Sequence, residues 1–187
     1  DETPRKLIAT GHAVAGSNFT YAMGKLVLWS AQPGYVDDQG AVLASAKFTH
    51  LALANPKVAP YGAAALEVLK ARGLLDAVTP KLVTGESIAQ TYQFISTGNA
   101  ELGFVALSQV AVPGKVAVGS YWLVPATLHS PIRQDAVLLK AGQNNPAATA
   151  LLALASATAT AQTDYPARRI TLVVSASTGG GLDGIAR

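Results

Sequence analysis

Three segments of this sequence set small and polar residues between an apolar run and a helix-like run: residues 55–62 (NPKVAPYG), 84–88 (TGESI) and 175–181 (SASTGGG). The first turn of a helix leaves backbone N–H groups without carbonyl partners, at the positive end of the helix dipole. Such ends bind anions, and each of these segments could aim donors at one point. The plainer reading is that every α/β protein owns such termini and most of them meet only water. The glycines at 179–181 are followed by Leu182 and Asp183, not by Lys and a hydroxyl residue, so the run is no Walker loop and does not match GxGxxG either. Read alone, it is a plain flexible turn sooner than an anion cradle.

Other chemistries lack their residues. Cysteine is absent, which removes thiolate metal sites, disulfides and cysteine nucleophiles together. There is no GxSxG elbow and no HExxH, and His12, His50 and His129 stand in unrelated contexts where each reads as a surface or packing histidine. An enzyme is not expected, nor a bound metal or cofactor.

The elements that must position the anion loops follow from the apolar pattern. Buried strands are expected at Leu26–Ser30 (LVLWS) and at residues 50–54 (HLALA), 81–83, 101–107 (ELGFVAL), 121–124 and 136–139. A helix is expected over residues 61–72, with Leu66 and Leu69 on one face and Gly73 as its stop. A second starts at Ser87 and ends near Gly98, opening on a capping box in which Ser87 accepts from the Gln90 amide while the Gln90 side chain reaches back. A third has Asn145 as its cap, Pro146 in its first turn and a body through residue 155. Strands alternating with helices predict an α/β fold with parallel pairing.

The 187 residues, half of them hydrophobic and 13% charged, suffice for one large domain or two small lobes. The net charge of +3 comes from scattered basic residues without interleaved aromatics, so nucleic acid is not expected as a partner. The longest apolar tract, residues 147–161, is diluted by Thr and Ser and falls short of the ~20 residues of a spanning helix, so no membrane insertion is expected. The chain opens at Asp1 with no Met and no charged and apolar leader, which predicts either a removed signal or a missing beginning, and the second is favoured.

Four runs carry a resemblance: FTYAMGKLVLWS, HLALANPKVAPYGAAALEVL, PKLVTGESIAQTYQFISTGNAELGFVALSQV and WLVPATLHSPIRQDAVLL. Through them, and through the opening DETPRKLIATGHAV, roughly residues 1–150 resemble the molybdate-binding periplasmic proteins of ABC importers. The resemblance implies an α/β, two-lobe periplasmic-binding-protein type II architecture, with the oxyanion in the cleft and closure by a hinge. It implies molybdate or tungstate as ligand, an ABC permease in the inner membrane as partner, and a periplasmic location. Molybdate would be bound as an oxyanion, so no metal ligands are implied. Carried over by motif, ligand contacts fall on Tyr61 in APYG, on Ile88 in GESIAQ with Ser87 beside it, and on Ala106 in GFVAL, chiefly through backbone amides. A dianion stripped of water is held well by many neutral dipoles, and selection against sulfate then falls to cavity size. For Tyr61 the residue itself admits a second role, a first-turn aromatic packing on the core; Glu86, next to Ser87, reads as a solvated loop carboxylate.

Two departures qualify this. The units that would supply the first lobe do not precede Asp1, so that lobe is expected to be incomplete: residues 1–20 and 133–187 would be its remnant, and residues 21–132 the second lobe with its crossover strands. Residues 163–187 instead resemble the N-terminus of tripartite tricarboxylate receptor proteins, which bind small carboxylates, so a chimeric fragment is expected. Residues 151–161 (LLALASATATA) resemble a signal apolar region or continue the Ala-rich helix from Pro146. The terminal ITLVV could fill the slot of a first-lobe strand, with Ser175, Ser177 or Thr178 offering hydroxyls to the ligand. Three functions compete: an oxyanion receptor, a small-carboxylate receptor of the tricarboxylate type, and a truncated fusion product that binds nothing.

Overall fold

A computed structural model describes residues 2–45, 47–111 and 118–161. Seven strands and six α-helices are present there: α1 Glu2–Ala9, β1 Phe19–Gly24, β2 Leu26–Ser30, β3 Leu51–Ala54, α2 Pro60–Ala71, α3 Leu75–Val78, β4 Leu82–Gly85, α4 Ile88–Ser96, β5 Leu102–Ala106, α5 Leu107–Val110, β6 Ser120–Leu123, β7 Ile132–Ala136 and α6 Pro146–Ala161. Five strands form one sheet in the order β4-β3-β5-β2-β6, and β1 with β7 forms a separate two-stranded ribbon.

β2, β3 and β5 are buried along their whole length, as continuous apolar runs covered on both faces should be. Side chains alternate along a strand, so Leu26 and Leu28 join Leu51, Leu53 and Phe104 on one face, under Ala65, Val68 and Leu69 of α2. Val27 and Trp29 face the other way and pack with Ala52, Val105 and Ile95 of α4. There Trp29 stacks on Tyr92 with ring centroids 5.0 Å apart. The two helices therefore lie on opposite faces of the same sheet.

The expectation of parallel pairing holds for part of the sheet only. β3 is parallel to β4 and β5, whereas β2 is antiparallel to β5 and β6. The reason is the route of the chain: β2 is fed directly from β1 and enters at the edge where β5 ends, with Leu26 opposite Ala106, so it must run against the strands that leave there.

The ribbon corrects a second expectation. Among the described residues the last strand is Ile132–Ala136 (IRQDA), not the apolar residues 136–139. It pairs antiparallel with β1, from Phe19 opposite Ala136 to Gly24 opposite Ile132. Only Ile132 of β7 is buried, so the strand has no apolar run to betray it. Thr20 Oγ1 donates to Asp135 Oδ1 at 2.6 Å and Tyr21 Oη to Gln134 Oε1 at 3.1 Å, polar pairs that suit a half-exposed ladder. Beyond it the same two chain segments stay together, through Val14 N–H to Leu138 O (2.8 Å) and Lys140 N–H to His12 O (2.9 Å).

The helices stop and start where local chemistry dictates. Gly73, at φ 66°, and Gly98, at φ 78°, follow α2 and α4 in the left-handed conformation that side chains disfavour. Asn145 Oδ1 accepts from Ala147 N–H at 2.9 Å, as its role of cap requires, and α6 runs past residue 155 to Ala161. Residues 151–161 are thus helical, and among the described residues no helix is long and apolar enough to cross a membrane.

Candidate functional site

Three adjacent parallel strands, β4, β3 and β5, end at one edge of the sheet, and each runs into a loop or turn that opens a helix. In open α/β sheets ligands bind outside the carboxyl ends of the strands. The register fixes the level: Ala54 lies opposite Gly85, Leu26 opposite Ala106, and Asn55 N–H donates to Gly85 O at 2.7 Å. Tyr61 is the second residue of α2, Ile88 the first of α4, and Ala106 the last of β5. The fold therefore brings Tyr61, Ser87, Ile88 and Ala106 to one edge. Because α2 and α4 cover opposite faces, their first turns flank that edge from both sides. Ser177 and Thr178, with the whole 175–181 segment, lie outside the described residues.

At the start of α4, Ser87 is extended (φ −143°, ψ 164°), and its Oγ accepts from Gln90 N–H at 3.2 Å. The expected reciprocal bond is displaced by one residue: Gln90 Oε1 accepts from Glu86 N–H at 2.7 Å, not from Ser87. The cap thus engages the amides of Glu86 and Gln90 and leaves those of Ser87 and Ile88 to other acceptors. Ile88, at the first helical position, has no carbonyl one turn behind it. Glu86 and Ser87 are exposed and Ile88 is half-buried, so the edge is reachable from solvent.

At the start of α2, Ala59 is extended and Pro60 occupies the first position, where a missing N–H costs nothing. Gly62 lets the helix approach β3: a Cβ there would lie 2.0 Å from the Ala54 carbonyl oxygen. The Tyr61 ring packs against the larger apolar cluster, and its hydroxyl accepts from Gln134 Nε2 at 3.2 Å. The side chain takes the packing role that the residue type allowed, while the backbone of the same residue stands in the helix's first turn.

Ala106 reaches the edge with its amide engaged. Its N–H donates to Gln109 Oε1 at 3.0 Å, and Gln109 Nε2 donates to Ile88 O at 3.2 Å. Sequence reading missed Gln109. The available signal was a Gln three residues beyond a strand end, the spacing of the reciprocal half of a capping box.

Among the described residues, the carboxyls with shifted pKa values lie away from this edge. Asp37, Glu101 and Asp135 have carboxyls held below the usual range and Tyr35 a phenol raised by burial; Asp37 lies on the loop after β2, Glu101 precedes β5 at its far end, and Asp135 is in the ribbon. The histidines stay apart: His12 Nδ1 meets Thr10 Oγ1 (2.9 Å), His129 Nδ1 meets Ser130 O (2.8 Å), and His50 Nδ1 is 4.0 Å from Glu101. Among the described residues no three His, Cys, Asp or Glu side chains could share a metal ion.

Residues 1–163 match the family model described as bacterial extracellular solute-binding protein. The chain belongs to this family. Among solute-binding relatives, the molybdate-binding protein ModA of Azotobacter vinelandii is 65% identical over 152 residues, which are 81% of this chain and 60% of that protein. ModA of Rhodobacter capsulatus is 58% identical over 149 residues, 80% of this chain and 58% of that protein. In three dimensions the chain superposes on a periplasmic molybdate-binding protein of Azotobacter vinelandii with a TM-score of 0.80 at 43% identity, covering 83% of this chain and 68% of that one. The solute-binding fold is therefore α/β of the periplasmic-binding-protein type, and the resemblance to molybdate-binding proteins read from the sequence holds. The chain spans about 60% of the length of the curated relatives it matches. Both of those relatives are named for binding molybdate.

Proposed function

We propose that this chain is a substrate-binding protein of a molybdate ABC importer, and that the edge formed by β4, β3 and β5 supplies one lobe's share of the oxyanion site. The observation that carries the reading is the pair of helix starts, at Tyr61 and Ile88, set on opposite faces of one sheet edge. Relatives of matching sequence are named molybdate-binding, and one of them periplasmic. Backbone amides suit this ligand. They are neutral, fixed before the ligand arrives, and oriented by the helices, so a dehydrated dianion gains charge–dipole stabilisation with little reorganisation.

In this reading residues 21–132 form one lobe with its crossing strands, and residues 1–20 and 133–187 belong to the other. The hydrogen bonds joining residues 12–17 to residues 138–140 support that grouping, since they lie beyond the ribbon and away from the five-stranded sheet. Molybdate, or tungstate of nearly equal size, would be captured in the periplasm and released to a permease in the inner membrane.

The test is a thermal melt of the full chain with molybdate, tungstate, sulfate and citrate. A ligand that binds only the folded state stabilises it by mass action, about 2.7 kcal/mol at a hundred times Kd. A rise with molybdate and tungstate, absent with sulfate, is the expected result. A rise with citrate alone would transfer the site to carboxylates, and no rise with any anion would overturn the receptor reading.

A further inference from the structure

Gln109 is half-buried and spends both ends of its side-chain amide inside the protein: the oxygen on Ala106 N–H at the end of β5, the nitrogen on Ile88 O in the first turn of α4. The two bonds join residues 18 positions apart in sequence that flank the same sheet edge. α4 does not need Gln109 as a cap, because Ser87 and Gln90 already cap it. Nor does the single turn of α5 explain a bond that leaves it for another helix.

We propose that Gln109 is a positioning residue of the oxyanion site, which holds the Ile88 turn at the sheet edge and keeps the Ala106 amide out of ligand binding. This rests on the receptor reading above. The first turn of a helix is where its backbone frays, since it lacks half of its intrahelical bonds. A donor on α5, tied to the end of β5 through Ala106 N–H, that grips Ile88 O anchors the residue whose own N–H faces the ligand. Occupying Ala106 N–H has a second effect: it sets the number of donors at the edge, and with it the size of anion that satisfies them all. Gln109 touches no ligand in this account; it acts through Ile88 and Ala106.

The experiment compares wild type, Gln109→Met, Gln109→Asn and, as control, Gln93→Met on the exposed side of α4. Calorimetric titration with molybdate and with sulfate is paired with amide hydrogen exchange on the ligand-free proteins. The Met variant keeps the length without the polar atoms, and the Asn variant keeps the polar atoms but cannot span both partners. Both are expected to bind molybdate about tenfold more weakly with a reduced preference over sulfate. Both should show faster exchange confined to Ala106 and the first turn of α4. Gln93→Met should match wild type. Molybdate affinities within twofold of wild type in the Gln109 variants would overturn the positioning role and leave the receptor reading standing. Exchange that rises uniformly through the sheet would overturn it too, by showing a general loss of stability. A wild type that binds no molybdate would remove both proposals.

Discussion

The hydroxyl of Tyr61 accepts a hydrogen bond from Gln134 Nε2 at 3.2 Å, which ties the first turn of α2 to β7 of the crossing ribbon. Gln134 Oε1 in turn accepts from Tyr21 Oη at 3.1 Å, so both ribbon strands take part. A residue expected to serve the ligand is thereby also a joint between the sheet and the ribbon. On the proposed function the two roles separate by atom, the backbone for the ligand and the side chain for the joint.

Tyr61→Phe tests that separation. The ring stays packed and the bond to Gln134 is lost, so stability should fall by about 1 kcal/mol in a denaturant titration. Molybdate affinity should stay within about threefold of wild type. If the Phe variant folds but no longer binds the anion, the hydroxyl is a contact and the backbone account is wrong.

Close approach at two glycines gives a ranked pair of stability changes. At Gly62 an added Cβ meets the Ala54 carbonyl oxygen at 2.0 Å, backbone that cannot yield. At Gly24 it meets Tyr61 Oη at 2.4 Å and Ile132 Cγ2 at 2.9 Å, side chains that can shift a little. Gly62→Ala should cost about 3 kcal/mol and Gly24→Ala about 1–2 kcal/mol. Thermal melts with the order reversed would contradict the packing of α2 against the end of β3.

Ser87 separates helix stability from anion binding. Removing its cap in Ser87→Ala should lower stability by about 1 kcal/mol. Ser87→Asp keeps an acceptor for Gln90 N–H and suits the helix dipole, so the fold should hold. Its carboxylate next to Ile88 should weaken molybdate binding about tenfold or more in low salt, with partial recovery as ionic strength rises. Unchanged affinity in the Asp variant would place the anion elsewhere.

Acid sensitivity should trace to carboxylates outside the site. Asp37 accepts N–H bonds from Ala41 (3.0 Å), Gln39 (2.9 Å) and Val42 (3.0 Å). The Ala41 bond does most to hold its carboxyl below the ordinary range, against the opposing pull of desolvation, and the Gln39 and Val42 bonds add to it. A depressed folded pKa means that the stabilisation is complete above the unfolded value of about 3.9 and fades as pH falls through the folded one. Glu101 acts in the same direction: burial is the largest single influence and raises its pKa, but the N–H groups of His50, Thr49 and Glu101 itself, with the Thr49 side chain, together outweigh it. Unfolding midpoints measured from pH 6 to 2.5 should drop below about pH 4, and Asp37→Asn should flatten that drop. An Asp37→Asn curve parallel to wild type would assign the acid sensitivity to other groups.

Much of the fold was legible in the sequence where the signal is local. LVLWS at Leu26–Ser30 became β2, and the runs at 50–54 and 101–107 gave β3 and β5, because strands buried on both faces must be apolar throughout. Asn145 with Pro146, and Ser87 with Gln90, marked α6 and α4 because caps act over three or four residues. β7 escaped because its sequence IRQDA sits in a half-exposed ribbon, where no core demands an apolar run. Of the expected ligand residues, Tyr61, Ser87, Ile88 and Ala106 reach one edge; Ser177 and Thr178, with the segment expected to resemble tricarboxylate receptors, lie outside the described residues.

What the sequence by itself determined is therefore the set of elements and their ends, together with the kinship carried by its long matching runs. Tertiary structure alone decided that β2 runs against its neighbour β5, that α2 and α4 take opposite faces, and that Gln109 holds Ile88 while Gln134 holds Tyr61. The physical reason is range. Apolar periodicity and capping are settled within a few residues of chain, but a hydrogen bond between side chain and backbone from separate elements exists only after the sheet has ordered its strands.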